Sequence, residues 1–426
     1  MEVKGLKGTA YLRQVVKSPS FSSLTVFAGG NILCSILSGL GGLLQARWLD
    51  PATFGEFQQY GILAGYMSMG VILVNDGLIR QYPYYLGKGD KAKALEIAGV
   101  AKWWYVFVSC VMSLTMASCM VVSIFKGNWH AVIGWGAWIV VSWMSIYGTF
   151  LGIMYRTSSD FKRLSVNSLC AATWSFIALT LVRLFGYCGL AMRMASVAVF
   201  NIYLNSKHLP VKVKAICDFS KLKELASISL RFALPAYFHS TGLTATMNAL
   251  ILYFCSKQGL GVFAVAISFQ GLALTFSNSL NQIFNIKVTT KFGASEDVRA
   301  CLKYAIKPAL LGMMLSFCIA VAGAFLIGPF IRLAIPKYVE SIPVIQVLLF
   351  GIITSSLNLP LLVIKAAMMW KTAAVQAFAN FAATISLIVL LPKSPVWVAV
   401  AMVCGGLMEP LVGYTALWLL VLRKRD

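Results

Sequence analysis

The sequence predicts an all-α integral membrane protein of about 12 transmembrane helices, arranged as two six-helix lobes. Three observations carry that expectation. Hydrophobic residues make up 59% of the 426-residue chain and charged residues 12%, too little polar surface for a soluble protein of this length. The apolar residues gather into twelve runs, each near the ~20 residues that one membrane crossing takes. The 36 Lys and Arg, against 14 Asp and Glu for a net charge of +22, concentrate in alternate connections between those runs. In a soluble chain such an imbalance points to nucleic acid. Here topology accounts for it, and no nucleic-acid partner is expected.

The runs are read in order. Segment 1 (24–46) follows Lys4, Lys7, Arg13 and Lys17 and exceeds the apolar core of a signal peptide, so it is read as a span. It carries Asn31, Ser35, Ser38, Gly42 and Gln45 at steps of four and three, one helix face. Such a face serves either tight helix packing or a hydrated cavity. Segments 2 (57–79) and 8 (261–286) hold the most polar side chains and are expected to face protein or water. In segment 8, Gln270, Ser277, Asn278, Asn281, Gln282 and Asn285 are read as cavity lining. Segments 3 (103–125) and 4 (131–154) follow, then 5 (164–185) and 6 (187–205), with Arg193 inside segment 6. A basic linker, 206–229, separates these from segments 7 (230–253), 8, 9 (304–331), 10 (343–367), 11 (371–391) and 12 (396–421). Trp48, Trp103, Trp104, Trp370, Trp397 and Trp418 sit near span ends, where interfacial aromatic belts form.

Counted by alternate connections, 28 basic residues fall on the side holding both termini and seven on the other. The excess places both termini in the cytoplasm. Sliding the second half over the first by 206 residues brings Gly55, Phe57, Gly65, Asn75, Gly87 and Ala94 onto Gly261, Phe263, Gly271, Asn281, Gly293 and Ala300. Asp90 then falls on Glu296 and Lys93 on Arg299, so loops, spans and charges stay in phase. Six spans per half gives both halves one orientation. That requires a pseudo-two-fold axis along the membrane normal with room for a cavity between the lobes, 1–205 and 230–426.

Other chemistry is thinly represented. Of the ten cysteines, eight (Cys34, Cys110, Cys119, Cys170, Cys188, Cys255, Cys318 and Cys404) lie in apolar runs, and none forms a CxxC. They are read as core thiols, and neither a disulfide framework nor a zinc site is expected. No Walker loop, GxGxxG, Ser-His-Asp arrangement or metal-ligand cluster is present. No cofactor and no enzymatic activity are expected.

The stretches QARWLDPATFGEFQQYGIL (45–63) and GLIRQYPYYLGKGD (77–90) resemble the first helical hairpin of polysaccharide-export flippases. There an apolar helix ends in an Arg-Leu-Gly-Pro-like turn before a Phe-Gly or Tyr-Gly pair. LRFALPAYFHSTGL (230–243) and ILYFCSKQGLGVFAVAISFQ (251–270) resemble the same pattern in the second half. The resemblance is to the O-antigen and exopolysaccharide flippase branch of the multidrug/oligosaccharidyl-lipid/polysaccharide (MOP) exporter superfamily. It covers the chain in topology, with Asp50 standing at the usual Gly.

The resemblance implies a MATE-like fold in a bacterial inner membrane. It implies alternating-access transfer of a polyprenyl-pyrophosphate-linked glycan from the cytoplasmic to the periplasmic leaflet. A polysaccharide polymerase and chain-length proteins are candidate partners. An ion-coupled multidrug exporter of the same superfamily is the first alternative, and a membrane glycan polymerase or ligase the second. The short outer connections argue against the second.

Ionisable groups inside spans are expensive and so mark function by default. Arg80, at the cytoplasmic end of segment 2, is the phosphate candidate, since Arg bonds phosphate bidentately. Arg193, Arg231, Lys365, Asn31, Asn278 and Gln282 are the further candidates for phosphate or glycan. For Arg193 snorkelling to the outer surface is the competing role, and for Arg231 and Lys365 anionic-lipid anchoring is. Glu409 is the deepest acid and precedes Pro410. It is read with His239 and Asp76 as a coupling or conformational group, against the simpler readings of a structural hydrogen bond and of an Asp76–Arg80 pair.

Overall fold

A computed structural model describes residues 19–158, 160–295, 297–367 and 369–423. Every regular element among them is helical. Eight stretches are long and apolar enough to cross a membrane, and the protein is a multi-pass membrane protein. Two of these stretches, Leu179–Lys207 and Ala233–Thr275, hold parts of two passes, because the chain reverses inside them at a single residue. Gly186 has φ 54° and ψ −121°. Just beyond it, a Cβ built on Gly189 would lie 1.9 Å from the carbonyl oxygen of Leu181, eight residues back. In a straight helix that separation is about 12 Å. Ser256, with φ 69° and ψ 179°, makes the second reversal, and Gly259 comes back against Cys255 and Ile251.

Among the described residues twelve passes result: α1 (Pro19–Trp48), α2 (Pro51–Gly87), α3 (Lys91–Phe125), α4 (Trp129–Thr157), α5 (161–185), α6 (187–207), α7 (219–255), α8 (257–295), α9 (Val298–Ala334), α10 (341–366), α11 (Trp370–Leu390) and α12 (395–423). The sparse acids punctuate them. Asp90, Asp160, Asp218 and Asp297 each accept a backbone N–H from the first turn of the following helix. These N-caps satisfy donors the helix cannot. Pro51 and Pro395 open α2 and α12, where a missing N–H costs nothing. Large apolar side chains such as Phe125, Tyr253, Leu333 and Leu390 point outward, as a lipid-facing surface allows.

The segment 206–229 is only partly a linker. Residues 209–218 are irregular, and α7 starts at Phe219, because Asp218 Oδ1 accepts from the N–H of both Ser220 and Lys221. The irregular stretch is strapped to α3. Ile216 donates its N–H to Gly99 O at 3.1 Å, Lys102 Nζ bonds Val213 O at 2.8 Å, and Lys221 pairs with Glu96.

At the end of the bundle opposite the termini, the two halves touch through residues 206 apart. A Cβ on Gly55 would meet Lys257 O at 1.8 Å and Gly261 N at 2.8 Å. A Cβ on Gly261 would meet Pro51 O at 1.9 Å and Gly55 N at 3.1 Å. Pro51 and Gly55 map onto Lys257 and Gly261 under the repeat, so the contact is reciprocal, as a two-fold axis requires. Deeper in the bundle Gly65 meets Ala245, and Gly39 meets Leu272. These contacts lay α2 against α7 and α1 against α8. Ion pairs cross at the same end: Glu56–Lys257 at 3.3 Å and Asp50–Lys337 at 2.8 Å. His130 also approaches Glu56, at 3.7 Å.

Ser256 occupies a region of backbone space that is essentially reserved for Gly, at a cost of about 1–3 kcal/mol. Ser256→Gly is therefore expected to raise the thermal midpoint of the detergent-solubilised protein. Gly261→Leu, with no room against Pro51, is expected to lower it; equal midpoints for both variants would refute the close approach.

The Lys221 backbone N–H, reinforced by its ammonium group and by the Ser220 N–H, holds the Asp218 carboxyl below the usual carboxylate range. The cap should therefore be complete above about pH 4, the unfolded value. It should be lost as pH falls through the lower folded value. Amide hydrogen exchange at Ser220 and Lys221, followed against pH, checks this.

Candidate functional site: two adjoining cavities at the helix breaks

Helices interrupted inside a membrane must satisfy their freed backbone groups from protein or water, and four such interruptions meet here. α2 passes through a 3-10 turn, Ser68–Leu73, before its helix resumes at Asn75. α7 breaks at Ser240, one turn after Pro235. α10 loses its helix between Asn358 and Leu361, around Pro360. α12 breaks at Leu407, just before Glu409 and Pro410. Asp76 and Glu409 thus each stand in the first turn of a restarted helix, where the helix dipole favours a carboxylate.

Glu409 joins three of the breaks. Its Oε2 accepts from Asn358 Nδ2 at 2.8 Å, at the end of the α10 helix. The same oxygen lies 3.7 Å from His239 Nε2, at the α7 break. On α11, Gln376 Nε2 donates to the Glu409 backbone carbonyl at 3.0 Å. Asn380 Nδ2 lies 3.2 Å from His239 Nδ1. An amide nitrogen donates, so in a neutral ring Nδ1 is the acceptor, and Nε2 faces Glu409. Thr384 Oγ1 donates to Asn380 Oδ1 at 3.2 Å and completes the row.

Two cavities open along this network. The smaller, about 260 Å³, is lined by Asp76 and Arg80 from α2, Pro235, Ala236 and His239 from α7, Gln376 and Ala377 from α11, and Glu409. Ile364, Met369 and Trp370 line it toward the termini end. The larger, about 540 Å³, lies between α2, α4 and the α7 break. Its polar lining is Ser68, Asn75, Asp76, Ser145, Thr149, Tyr237, Ser240 and Thr241, and Gly61, Ala64, Gly65 and Ala233 make room beside Trp138. Asp76 and Ala236 belong to both cavities.

Four of the charged candidates therefore share one cavity: Asp76, Arg80, His239 and Glu409. Arg193 is held elsewhere. Its Nε and Nη2 donate to Ser175 O and Oγ at 3.0 and 2.8 Å, and Nη1 bonds Gln45 Oε1. It is 7% exposed and ties α1, α5 and α6 together, so it neither snorkels nor lines either cavity. Gln45, on the small-polar face of α1, is consumed by the same tie.

The polar face of α8 is likewise turned into the second half. Gln270 donates to Leu348 O at 3.3 Å, Ser277 bonds Ser316 at 3.3 Å, and Asn281 bonds Ser355 at 3.2 Å. These side chains satisfy the broken α10 and its neighbours, and the expected amide-lined cavity is a hydroxyl-lined one instead. Asn278 and Arg231 are exposed and outside both linings. The side chains of Asn31, Gln282 and Lys365 lie outside the described residues.

Sequence reasoning missed Asn358, Gln376, Asn380 and Thr384, and on the hydroxyl side Ser145, Thr149 and Trp138. For α11 a signal existed: Gln376, Asn380 and Thr384 are spaced by four, one helix face. For Asn358 it was the neighbouring Pro360 within an apolar run.

No family model matches the chain, and no curated protein matches it. Solved structures do. The chain is similar to the lipid II flippase MurJ in an inward closed conformation, with TM-score 0.70 and 14% identity over 92% of this chain and 87% of that one. It is similar to a multidrug resistance MATE family transporter of the MOP superfamily in an inward-facing conformation, with TM-score 0.63 and 15% identity over 90% and 93%. It is also similar to a MATE in complex with MaD5, with TM-score 0.66 and 14% identity over 97% and 98%. These likenesses establish a MATE-like fold.

Glu409→Leu leaves Asn358 and His239 without their shared partner. It is expected to cost about 1–3 kcal/mol, read as a lower thermal midpoint, while Glu409→Gln keeps an acceptor for Asn358 and costs less. Arg193→Met should also lower the midpoint, through the stranded Gln45 and Ser175, and leave ligand affinity at the two cavities unchanged.

Proposed function

We propose that the protein is a flippase for a lipid-linked oligosaccharide, a polyprenyl-pyrophosphate-linked repeat unit, carried from the cytoplasmic to the periplasmic leaflet of a bacterial inner membrane. The observation that carries this reading is Arg80. It lines a cavity beside Asp76, His239 and Glu409 that runs from the α12 break toward the connection at Met369 and Trp370. A pyrophosphate loses its hydration on entering ~30 Å of hydrocarbon, and a guanidinium with polar neighbours replaces it. Resemblance to a MOP flippase branch, and a fold shared with a lipid II flippase, support the same reading. Neighbours of the fold are transporters and flippases, in keeping with transport rather than catalysis.

In this reading the termini side, with 28 basic residues, is cytoplasmic and contacts anionic lipid. Residues 1–205 and 230–426 form two lobes joined by the stretch 206–229. Substrate enters by Arg80. Release on the far side breaks the Glu56–Lys257 and Asp50–Lys337 pairs, each exposed enough to contribute only about 0–1 kcal/mol. Glu409 and His239 couple the α7, α10 and α12 breaks, so a change of partner at Glu409 reaches all three. Polymer assembly downstream draws the product away through a polymerase and chain-length partners.

A second reading, an ion-coupled exporter of cationic drugs, is favoured by one observation: Asp76 and Glu409 put two carboxylates in the smaller cavity.

Arg80→Gln decides between them. In a polysaccharide-producing host lacking its own flippase, the wild-type chain should restore polymer and Arg80→Gln should reduce it at least tenfold at equal protein level. Restoration of drug resistance instead of polymer, undiminished by Arg80→Gln, would establish the exporter.

A further inference from the structure

The larger cavity differs in chemistry from its neighbour, and the difference lies in where its hydroxyl protons point. Ser68 Oγ donates to Gly65 O at 2.7 Å, Ser145 Oγ to Val141 O at 3.3 Å, and Thr149 Oγ1 to Ser145 O at 2.7 Å. Ser240 Oγ donates to Ala236 O at 2.7 Å, and Tyr237 OH to Gly65 O at 3.1 Å. Trp138 Nε1 is spent on Phe57 O at 3.0 Å. Each hydroxyl keeps its lone pairs, so these groups offer acceptors to the cavity. Asp76 adds a carboxylate and Asn75 an amide, whose Oδ1 accepts from Tyr105 OH at 3.0 Å, and the lining contains no Lys, Arg or His.

Such a wall, with many acceptors, one amide donor and no cationic side chain, disfavours phosphate, which is itself an acceptor and an anion. It suits a ligand rich in hydrogen-bond donors. Two classes qualify, a polyhydroxylated sugar and an organic cation, and charge separates them. The one carboxylate in the lining, Asp76, has Arg80 one helical turn further on, lining the adjoining cavity with it. The Asp76 charge is offset by that neighbour, and the other polar groups are neutral hydroxyls and the Asn75 amide. A buried cation would lack the charge partner it needs, whereas an uncharged polyol needs none.

We infer that the larger cavity is a binding subsite for the first, uncharged sugar of the substrate. The pyrophosphate then lies in the smaller cavity on Arg80, and Asp76, which both cavities share, marks the junction. This assignment rests on the flippase reading and adds the orientation of the substrate to it. The glycan points toward Ser145 and Thr149, and the phosphates stay toward Met369 and Trp370.

The test uses the full-length protein in nanodiscs. The probes are farnesyl pyrophosphate and its glucosyl, galactosyl and N-acetylglucosaminyl derivatives. In the wild type, at least one glycosylated probe should bind about tenfold more tightly than farnesyl pyrophosphate. The double variant Ser145→Ala, Thr149→Val removes two acceptors with little change of volume. It should abolish that gain and leave farnesyl pyrophosphate affinity unchanged, which also shows that the variant is folded.

Arg80→Gln should weaken every probe and preserve the sugar-dependent ratio. If no sugar strengthens binding, or if the double variant keeps the full gain, the subsite assignment is wrong. The flippase reading survives that outcome so long as Arg80→Gln still weakens the pyrophosphate probes. If tetraphenylphosphonium binds and is lost in the double variant while no sugar binds, the cavity is a cation site and the assignment is overturned. If no pyrophosphate probe binds at all, the flippase reading falls with it.

Discussion

The close approach of Pro51–Gly55 to Lys257–Gly261 is the constraint on which the arrangement depends. Backbone meets backbone there, with no Cβ on either glycine to hold the helices apart. In lipid no hydrophobic force drives helices together, so packing of this kind supplies the association. Once the two turns are in contact, the directions of the emerging helices follow: α2 lies along α7 through Gly65 and Ala245, and α1 along α8 through Gly39 and Leu272. The α2 break is thereby placed opposite the α7 break, and the cavities occupy the space the broken helices leave.

Those breaks explain where the polar side chains had to go. A lipid-embedded chain has no bulk water for interrupted backbone. Asn358, Gln376 and Glu409 therefore bind the broken ends of α10 and α12 to one another. The same logic turns Gln270, Ser277 and Asn281 inward and fixes Arg193 between Gln45 and Ser175. What faces open space is the residue of that process: hydroxyls bonded to helix carbonyls, the Asn75 amide, and four ionisable groups. The 14 acids of the chain show the same economy, with four of them capping helices and two more placed at helix restarts.

Much of the architecture was legible because hydropathy and charge report on lipid directly. The twelve runs emerge as passes even where helices run together, and the boundary read between residues 185 and 187 coincides with the reversal at Gly186. That Asp76, Arg80, His239 and Glu409 were worth singling out followed from cost alone, since a charge inside a span needs a reason. That they share one cavity did not, because four separate runs of sequence carry no sign of which helices pack together. The polar face of segment 8 was misread because composition distinguishes lipid from everything else. It does not distinguish a wet cavity from the polar interior around a broken helix. Arg193 was ambiguous for a related reason: its partners, Gln45 and Ser175, come from two other helices, and spacing within one helix cannot reveal them. The hydroxyl-lined cavity was invisible because Ser and Thr bonded to their own backbone occur throughout apolar helices.

The ion pairs beside the glycine contact do not obey its symmetry. Shifted by the repeat, Lys257 becomes Pro51 and Lys337 becomes Ala131. Two copies of the first half, brought together across a true two-fold, would set Gly55 against Gly55 but leave Glu56 and Asp50 without lysines. The fused chain therefore carries a recognition code between its own halves that a homodimer of either half would lack. Glycine contact alone accepts any similar partner. The charges favour an unlike pair, first half with second half, over a pair of like halves.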